Sequence, residues 1–272
     1  MRRLIAPIAI LALVVPAASI AASTGGTGVD VGTGSGSASK DNPCLGSSGA
    51  DLKCPNLVMG TPSGLYAEIG RKRTLLRATN RLTNIGVGPM ELRGRRKSPL
   101  RKFRMVVTQA IKKRSGGYLL RKTGGYLFFK PIPGQYRYWK FIDAASLEIW
   151  SLNSEGKPEK RLRRSPKQVY CVRDLIRMDD PPRGSPKRRH YPACNQDPDK
   201  RRVTLGTSVG WIDQYPSLYY QQYVDVTGLE GKYAYVMTAD PKNRLAESDE
   251  EDNSSYVTVN LPPKEKGYLP GY

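Results

Sequence analysis

The chain has 272 residues, 39% of them hydrophobic, and sets 44 lysines and arginines against 24 acidic residues for a net charge of +20. That length can bury the core of one domain, and that charge attracts acidic polymers without identifying one. A single histidine excludes any metal site built from three imidazoles of one chain.

The N-terminus opens with Arg2 and Arg3, an apolar run from Leu4 to Val15, and small residues through Ala22. A basic head, a short apolar segment and a small-residue cut site predict a secretory signal peptide over residues 1–22. The apolar run is too short to span a bilayer, and no second run of spanning length follows. Removal of the signal leaves a charge of +18, because Arg2 and Arg3 go with it. The mature protein is therefore expected outside the cell or at its surface, where an acidic wall or surface polymer is a better partner than a specific nucleic acid. Residues 23–40 are Gly, Ser and Thr with little to bury, which reads as a flexible linker. A β domain is expected over 41–261, followed by a loose Pro/Gly tail over 262–272.

Four cysteines in an exported chain favour two disulfides. Cys44, Cys54, Cys171 and Cys194 form no C-x-x-C pair, which argues against a thiolate metal site. Local pairing, Cys44 with Cys54 and Cys171 with Cys194, is the most economical of the three connectivities.

From Leu57 onward, short alternating runs are broken by Gly and Pro. Leu75 to Leu92 reads as strand, Gly-rich turn and strand, with Asn84, Gly86 and Gly88-Pro89 making the bend. Arg93 to Arg104 carries Arg93, Arg95, Arg96, Lys97, Arg101, Lys102 and Arg104, and is expected as an exposed basic loop. Met105–Val107 and Tyr118–Leu120 read as strands paired across the Lys112–Gly117 turn. Gln135 to Phe141 alternates basic and aromatic residues, a strand with one packed and one exposed face. Ala145–Trp150, Tyr233–Thr238 and Tyr256–Leu261 are further strands, and Lys157–Arg164 is expected as a second basic loop. The fold class is thus all-β, a β-sandwich-like core of antiparallel strands with long basic loops. Candidate polyanion contacts are Arg93, Arg95, Arg96, Lys97, Arg101, Lys102, Arg163, Arg164, Arg188 and Arg189.

Several blocks of this sequence resemble the lysyl oxidase family in order and spacing. Tyr136-Arg137-Tyr138-Trp139-Lys140-Phe141 has the frame of that family's copper motif, His-x-His-Trp-His-Phe, with Trp and Phe in place. Lys167-Gln168-Val169-Tyr170-Cys171-Val172-Arg173-Asp174 resembles the block holding the cofactor lysine, with Pro166 where the family has histidine. Pro192-Ala193-Cys194 matches its next cysteine. Gly210-Trp211-Ile212-Asp213-Gln214-Tyr215 resembles the block ending in the cofactor tyrosine, and Gln222–Leu229 the strand and turn beyond it. Asp240–Asn253 resembles the family's acidic segment. The resemblance covers about Leu75 to Leu261. It implies a lysyl-oxidase-like β fold and oxidation of primary amines, typically peptidyl lysine, to aldehydes with release of ammonia and hydrogen peroxide. It also implies that copper drives the joining of Lys167 to Tyr215 as lysine tyrosylquinone.

The residues argue against that activity here. The three ligand positions hold Tyr136, Tyr138 and Lys140; phenolate is a rare ligand for such copper, and an ammonium repels the ion. The expectation is therefore a catalytically degenerate relative that binds an acidic polymer, with no cofactor; copper and the quinone belong to the alternative, an active amine oxidase. A structural immunoglobulin-like adhesion module is a further alternative. In the degenerate reading Lys167 is solvated and Tyr215 half-buried, His190 is a surface residue, and Cys171 and Cys194 form a staple. Asp213 and Asp225 orient turns or sheet ends. Glu247, Asp249, Glu250, Glu251 and Asp252 form a solvated acidic hairpin, with calcium binding as the other possibility.

Overall fold

The structure is a computed structural model that describes residues 42–98 and 103–270. The expected signal peptide, the linker, Arg101 and Lys102 lie outside the described residues. Among the described residues the architecture is all-β, and the sole helical element is the one-turn segment Gly46–Gly49. No helix among them is long and apolar enough to cross a membrane.

In chain order the strands are β1 (Leu52–Lys53), β2 (Leu57–Met59), β3 (Ser63–Ile69), β4 (Thr74–Asn84), β5 (Met90–Arg95) and β6 (Arg104–Lys113). Next come β7 (Tyr118–Pro131), β8 (Arg137–Ile142), β9 (Ala145–Leu152), β10 (Pro158–Arg164), β11 (Val169–Tyr170) and β12 (Ile176–Arg177). The last are β13 (Arg202–Thr207), β14 (Trp211–Tyr215), β15 (Val224–Asp225), β16 (Gly231–Ala239), β17 (Ser254–Leu261) and β18 (Gly267–Tyr268).

Three antiparallel sheets result. The first runs β11-β8-β7-β6-β5-β13 with β1 against β6, the second β10-β9-β16-β17, and the third β12-β14-β4-β3-β18 with β2 and β15 also on β4. Their apolar faces meet in one core, to which Leu92, Met105 and Phe141 come from the first sheet, Ile149 and Met237 from the second, and Leu65 and Leu82 from the third. The alternation in β6 shows why: Met105, Val107 and Ile111 point inward while Arg104, Val106 and Lys112 do not.

The β6–β7 hairpin matches the sequence reading, with Ile111 opposite Leu119 and Lys112 opposite Tyr118. The Asn84–Pro89 bend is also present, but crowding decides its glycines. A Cβ at Gly88 would lie 1.8 Å from the Lys53 carbonyl oxygen, and one at Gly86 would lie 2.4 Å from the Asn56 nitrogen. Asn84 locks the bend by accepting from Asn56 N and Gly86 N and donating to the Gly88 and Thr207 carbonyls.

Four expectations are corrected. Arg93 and Arg95 lie in β5 rather than in a loop. Lys157–Arg164 is not a loop, because Pro158–Arg164 pairs with β9 along that strand's free edge. The tail is not loose: Gly267–Tyr268 adds to the edge of β3, Leu269 N bonds the Leu65 carbonyl, and Tyr268 packs edge-on against Tyr66. An open strand edge offers unpaired backbone groups, and the returning chain satisfies them. The acidic segment is not a solvated hairpin, since Glu247 is fully buried and accepts from Leu57 N and Asn253 Nδ2.

Both disulfides form with the local connectivity, Cys44–Cys54 and Cys171–Cys194. They fit an oxidising, extracellular compartment.

Candidate functional site

The site is assembled around Lys167, in the short connection between β10 and β11. Ser165 shapes that connection: its hydroxyl accepts from Lys167 N at 3.1 Å and donates to the Gln221 carbonyl at 3.0 Å. The lysine side chain is thereby turned inward, and only 4% of the residue remains exposed. This corrects the expectation of a solvated Lys167.

Three tyrosine rings enclose the Lys167 amine. Its Nζ lies 4.2 Å from the ring centroid of Tyr215, 4.5 Å from Tyr219 and 4.8 Å from Tyr170. Tyr215 stands on β14, whose inward residues are Trp211, Asp213 and Tyr215. It is buried rather than half-buried, and its hydroxyl donates to the Cys171 carbonyl at 2.9 Å. Tyr170 and Tyr219 each meet its ring edge-on at 5.3 Å. The Cys171–Cys194 bridge holds the chain that supplies this carbonyl. The resemblance singled out Lys167 and Tyr215 separately, and the fold brings them together.

The positions that correspond to copper ligands do not converge as a donor set. Tyr136 precedes β8 and is 70% exposed. Tyr138 and Lys140 share one face of β8, opposite Lys130 and Phe128 of β7, while Trp139 and Phe141 enter the core. The packed face is as expected, but the other face is not exposed throughout, because Lys140 is also buried. Burial and the nearby Lys130 pull the Lys140 amine down to about 8. His190 lies exposed, its ring edge-on to Tyr191. Lys140, at a position that the resemblance assigns to a copper ligand, is an amine within electrostatic range of Lys130 and Lys167, a set of residues that does not fit copper.

Burial pulls the Lys167 amine down to about 7, Lys140 repels its charge further, and Asp213 opposes both. Burial likewise pushes the Asp213 carboxyl up to about 8, against the pull of Tyr215, Arg173 and Lys167. One carboxyl oxygen, Oδ2, is buried with no hydrogen-bond partner. Tyr170 and Tyr215 are pushed well above the ordinary phenol value by burial, and Tyr219 to about 12. At neutral pH the site therefore holds a partly neutral amine, a protonated carboxyl and neutral phenols. Half-buried Arg173, within electrostatic range of Asp213, makes no ion pair among the described residues.

Asp174 has a different task. It accepts from His190 N, Tyr191 N, Ser208 N and Ser208 Oγ, pinning residues 190–191 and the chain just after β13 to the segment that follows β11. Asp225 is half-buried and holds its own turn through Thr227, which keeps its carboxyl below the usual value.

The acidic segment brings Asp240, Glu247, Glu250 and Asp252 within mutual electrostatic range. Burial raises all four, Glu250 to about 7. Among the described residues no group of three or more His, Cys, Asp or Glu side chains is arranged to hold a metal ion.

The candidate polyanion contacts divide. Arg96 is withdrawn: it is buried, donates to the Lys200 and Pro198 carbonyls, and stacks over Trp139 at 4.9 Å. Arg164 pairs with Asp143 and Glu148, and Arg93 with Glu91. Arg95, Lys97, Arg163, Arg188 and Arg189 are exposed. The structure adds a basic and aromatic face on the first sheet that the loop reading missed. Across it Arg202 lies opposite Arg95, Arg95 opposite Val106, Val106 opposite Tyr126, and Thr108 opposite Lys122. Arg93 covers the Tyr118 ring at 4.2 Å and Arg104 the Tyr126 ring at 4.1 Å. Alternation along Arg104–Lys112 carried that signal. Tyr170, Tyr219 and Arg173 were legible only as residue types, since their convergence is not local.

No protein-family model matches the chain, and no curated protein matches it.

Proposed function

We propose that this chain is an exported relative of the lysyl oxidases that lacks copper, leaves its cofactor precursors unjoined, and binds an acidic extracellular polymer. The observation that carries this reading is the meeting of Lys167 and Tyr215, with Nζ 4.2 Å from the ring, beside ligand positions filled by Tyr136, Tyr138 and Lys140. An adhesion module of immunoglobulin type has no reason to bring those two residues together. The polymer-binding surface is the basic and aromatic face of the first sheet, where Arg95, Arg104, Lys122 and Arg202 have no carboxylate partner among the described residues. Fixed strands hold these cations at regular spacing, which suits a chain of repeated negative charges. The two disulfides support an extracellular setting.

A second reading, an active copper- and quinone-dependent amine oxidase, draws on the same Lys167–Tyr215 proximity. The donor set of Tyr136, Tyr138 and Lys140 opposes it. One preparation of secreted protein tests both. Metal analysis without stoichiometric copper, peptides in which residues 167 and 215 are separate, and salt-sensitive retention on a polyphosphate column support the first reading. A covalent 167–215 link or salt-insensitive retention overturns it.

A further inference from the structure

The amine of Lys167 is buried without the partner a buried lysine usually has. Among the described residues its side chain makes no hydrogen bond and no ion pair; three ring faces approach it, with Lys140 and Asp213 within electrostatic range. Lys140 from β8 adds a second desolvated amine, and half-buried Arg173 a guanidinium within electrostatic range of Asp213 that makes no ion pair among the described residues. The carboxyl that faces them, Asp213 on β14, is held in its protonated form by burial. The other titratable groups packed around the amine are Tyr170, Tyr215 and Tyr219, all neutral phenols. The balance of charge in this enclosure is positive, so it suits a small anion rather than a metal ion.

We propose that the Lys140–Lys167–Arg173 cluster binds a small 2-oxo acid, whose carboxylate pairs with Lys140 and Arg173 while Lys167 Nζ adds reversibly to its carbonyl carbon. A lysine desolvated beside a second cation is the arrangement that makes an amine nucleophilic at neutral pH. With its amine drawn down to about 7, Lys167 is about half neutral at that pH. Tyr138 and Tyr219 are half-buried and reach solvent, the latter donating to Gln135 Oε1 at a long 3.5 Å.

The step balances without a redox partner. The Nζ lone pair forms the C–N bond, the carbonyl π pair moves to oxygen, and that oxygen takes the Asp213 proton. Nζ then returns a proton to Asp213, the hydroxyl takes that proton back and leaves as water, and a protonated imine remains beside the Asp213 carboxylate. This inference rests on the preceding reading only in that Lys167 must remain separate from Tyr215.

The test is incubation of the full-length secreted protein with pyruvate and cyanoborohydride at pH 7, followed by peptide mapping. The expected result is a reduced adduct on Lys167, formed at least about tenfold faster than on exposed lysines. Lys167→Arg, checked for cooperative unfolding, removes that adduct. Lys140→Met and Arg173→Ala each lower the ratio of pyruvate to acetaldehyde capture about tenfold, because acetaldehyde lacks a carboxylate. A free but unmodified Lys167, or equal capture of both carbonyls by wild type and Lys140→Met, overturns the site. A 167–215 link in the starting protein overturns the unjoined-precursor reading as well and is visible before pyruvate is added.

Discussion

Replacing Lys167 by Met stabilises the protein at neutral pH. The substitution nearly preserves side-chain shape and removes an amine whose value falls from 10.5 to about 7 on burial. In the unfolded chain that amine is protonated at pH 7, so folding must strip or desolvate it. At ~1.36 kcal/mol per unit, the linkage amounts to about 4 kcal/mol at pH 7 and about 1 kcal/mol at pH 10. The sign follows from proton counts. Between about 7 and 10.5 the unfolded state holds the extra proton, so this unfavourable contribution is present at low pH and relieved as pH rises. Contacts of the protonated form with the three tyrosine rings return about 1–2 kcal/mol. Lys167→Met should therefore gain roughly 2–3 kcal/mol at pH 7 and much less at pH 10. Urea unfolding of both proteins at the two pH values measures this directly. A variant less stable than wild type at pH 7, or a gain that does not shrink at pH 10, refutes the reasoning. A functional group that lowers stability is an expected trade.

Asp174→Ala leaves three backbone N–H groups and the Ser208 hydroxyl without their acceptor, and should lower stability by about 3–5 kcal/mol in chemical denaturation. Glu250→Gln should stabilise above pH 7 and have no effect well below 4.5. The carboxyl is raised from 4.5 to about 7, so its unfavourable ionisation sets in as pH rises through that window; thermal melts at pH 4 and 8 check it. Replacing both Cys44 and Cys54 by Ala opens a short loop and should cost about 3 kcal/mol, read from urea midpoints. Reversing Arg95, Arg104 and Lys122 to Glu should abolish polyphosphate retention at low salt, whereas reversing Arg96 should instead impair folding. Retention by the triple variant at wild-type salt would remove the first sheet as the binding face.

Much of the fold was legible because its signals are local. Alternation of apolar residues marks β6 and β9, glycines at positive φ mark the Lys112–Gly117 turn, and cysteine spacing suits the two bridges. The basic segments misled for the same reason. Charge density argues for solvent, yet Arg96 is buried because distant carbonyls and Trp139 receive it, and Pro158–Arg164 is a strand because β9 offers it an edge. The tail binds β3 for a reason visible only in three dimensions, namely a strand edge with unpaired backbone groups.

The sequence by itself determined an all-β chain with an excess of positive charge and too few histidines for a three-imidazole site in a single chain. Those conclusions need only composition and the period of side chains along a strand. Tertiary structure alone decided that Lys167 is buried within a wall of three tyrosines, in electrostatic range of Lys140 and of a buried Asp213. A side chain's solvation, and with it its charge and reactivity, is set by the groups that exclude water from it, and those arrive from strands far apart in the chain.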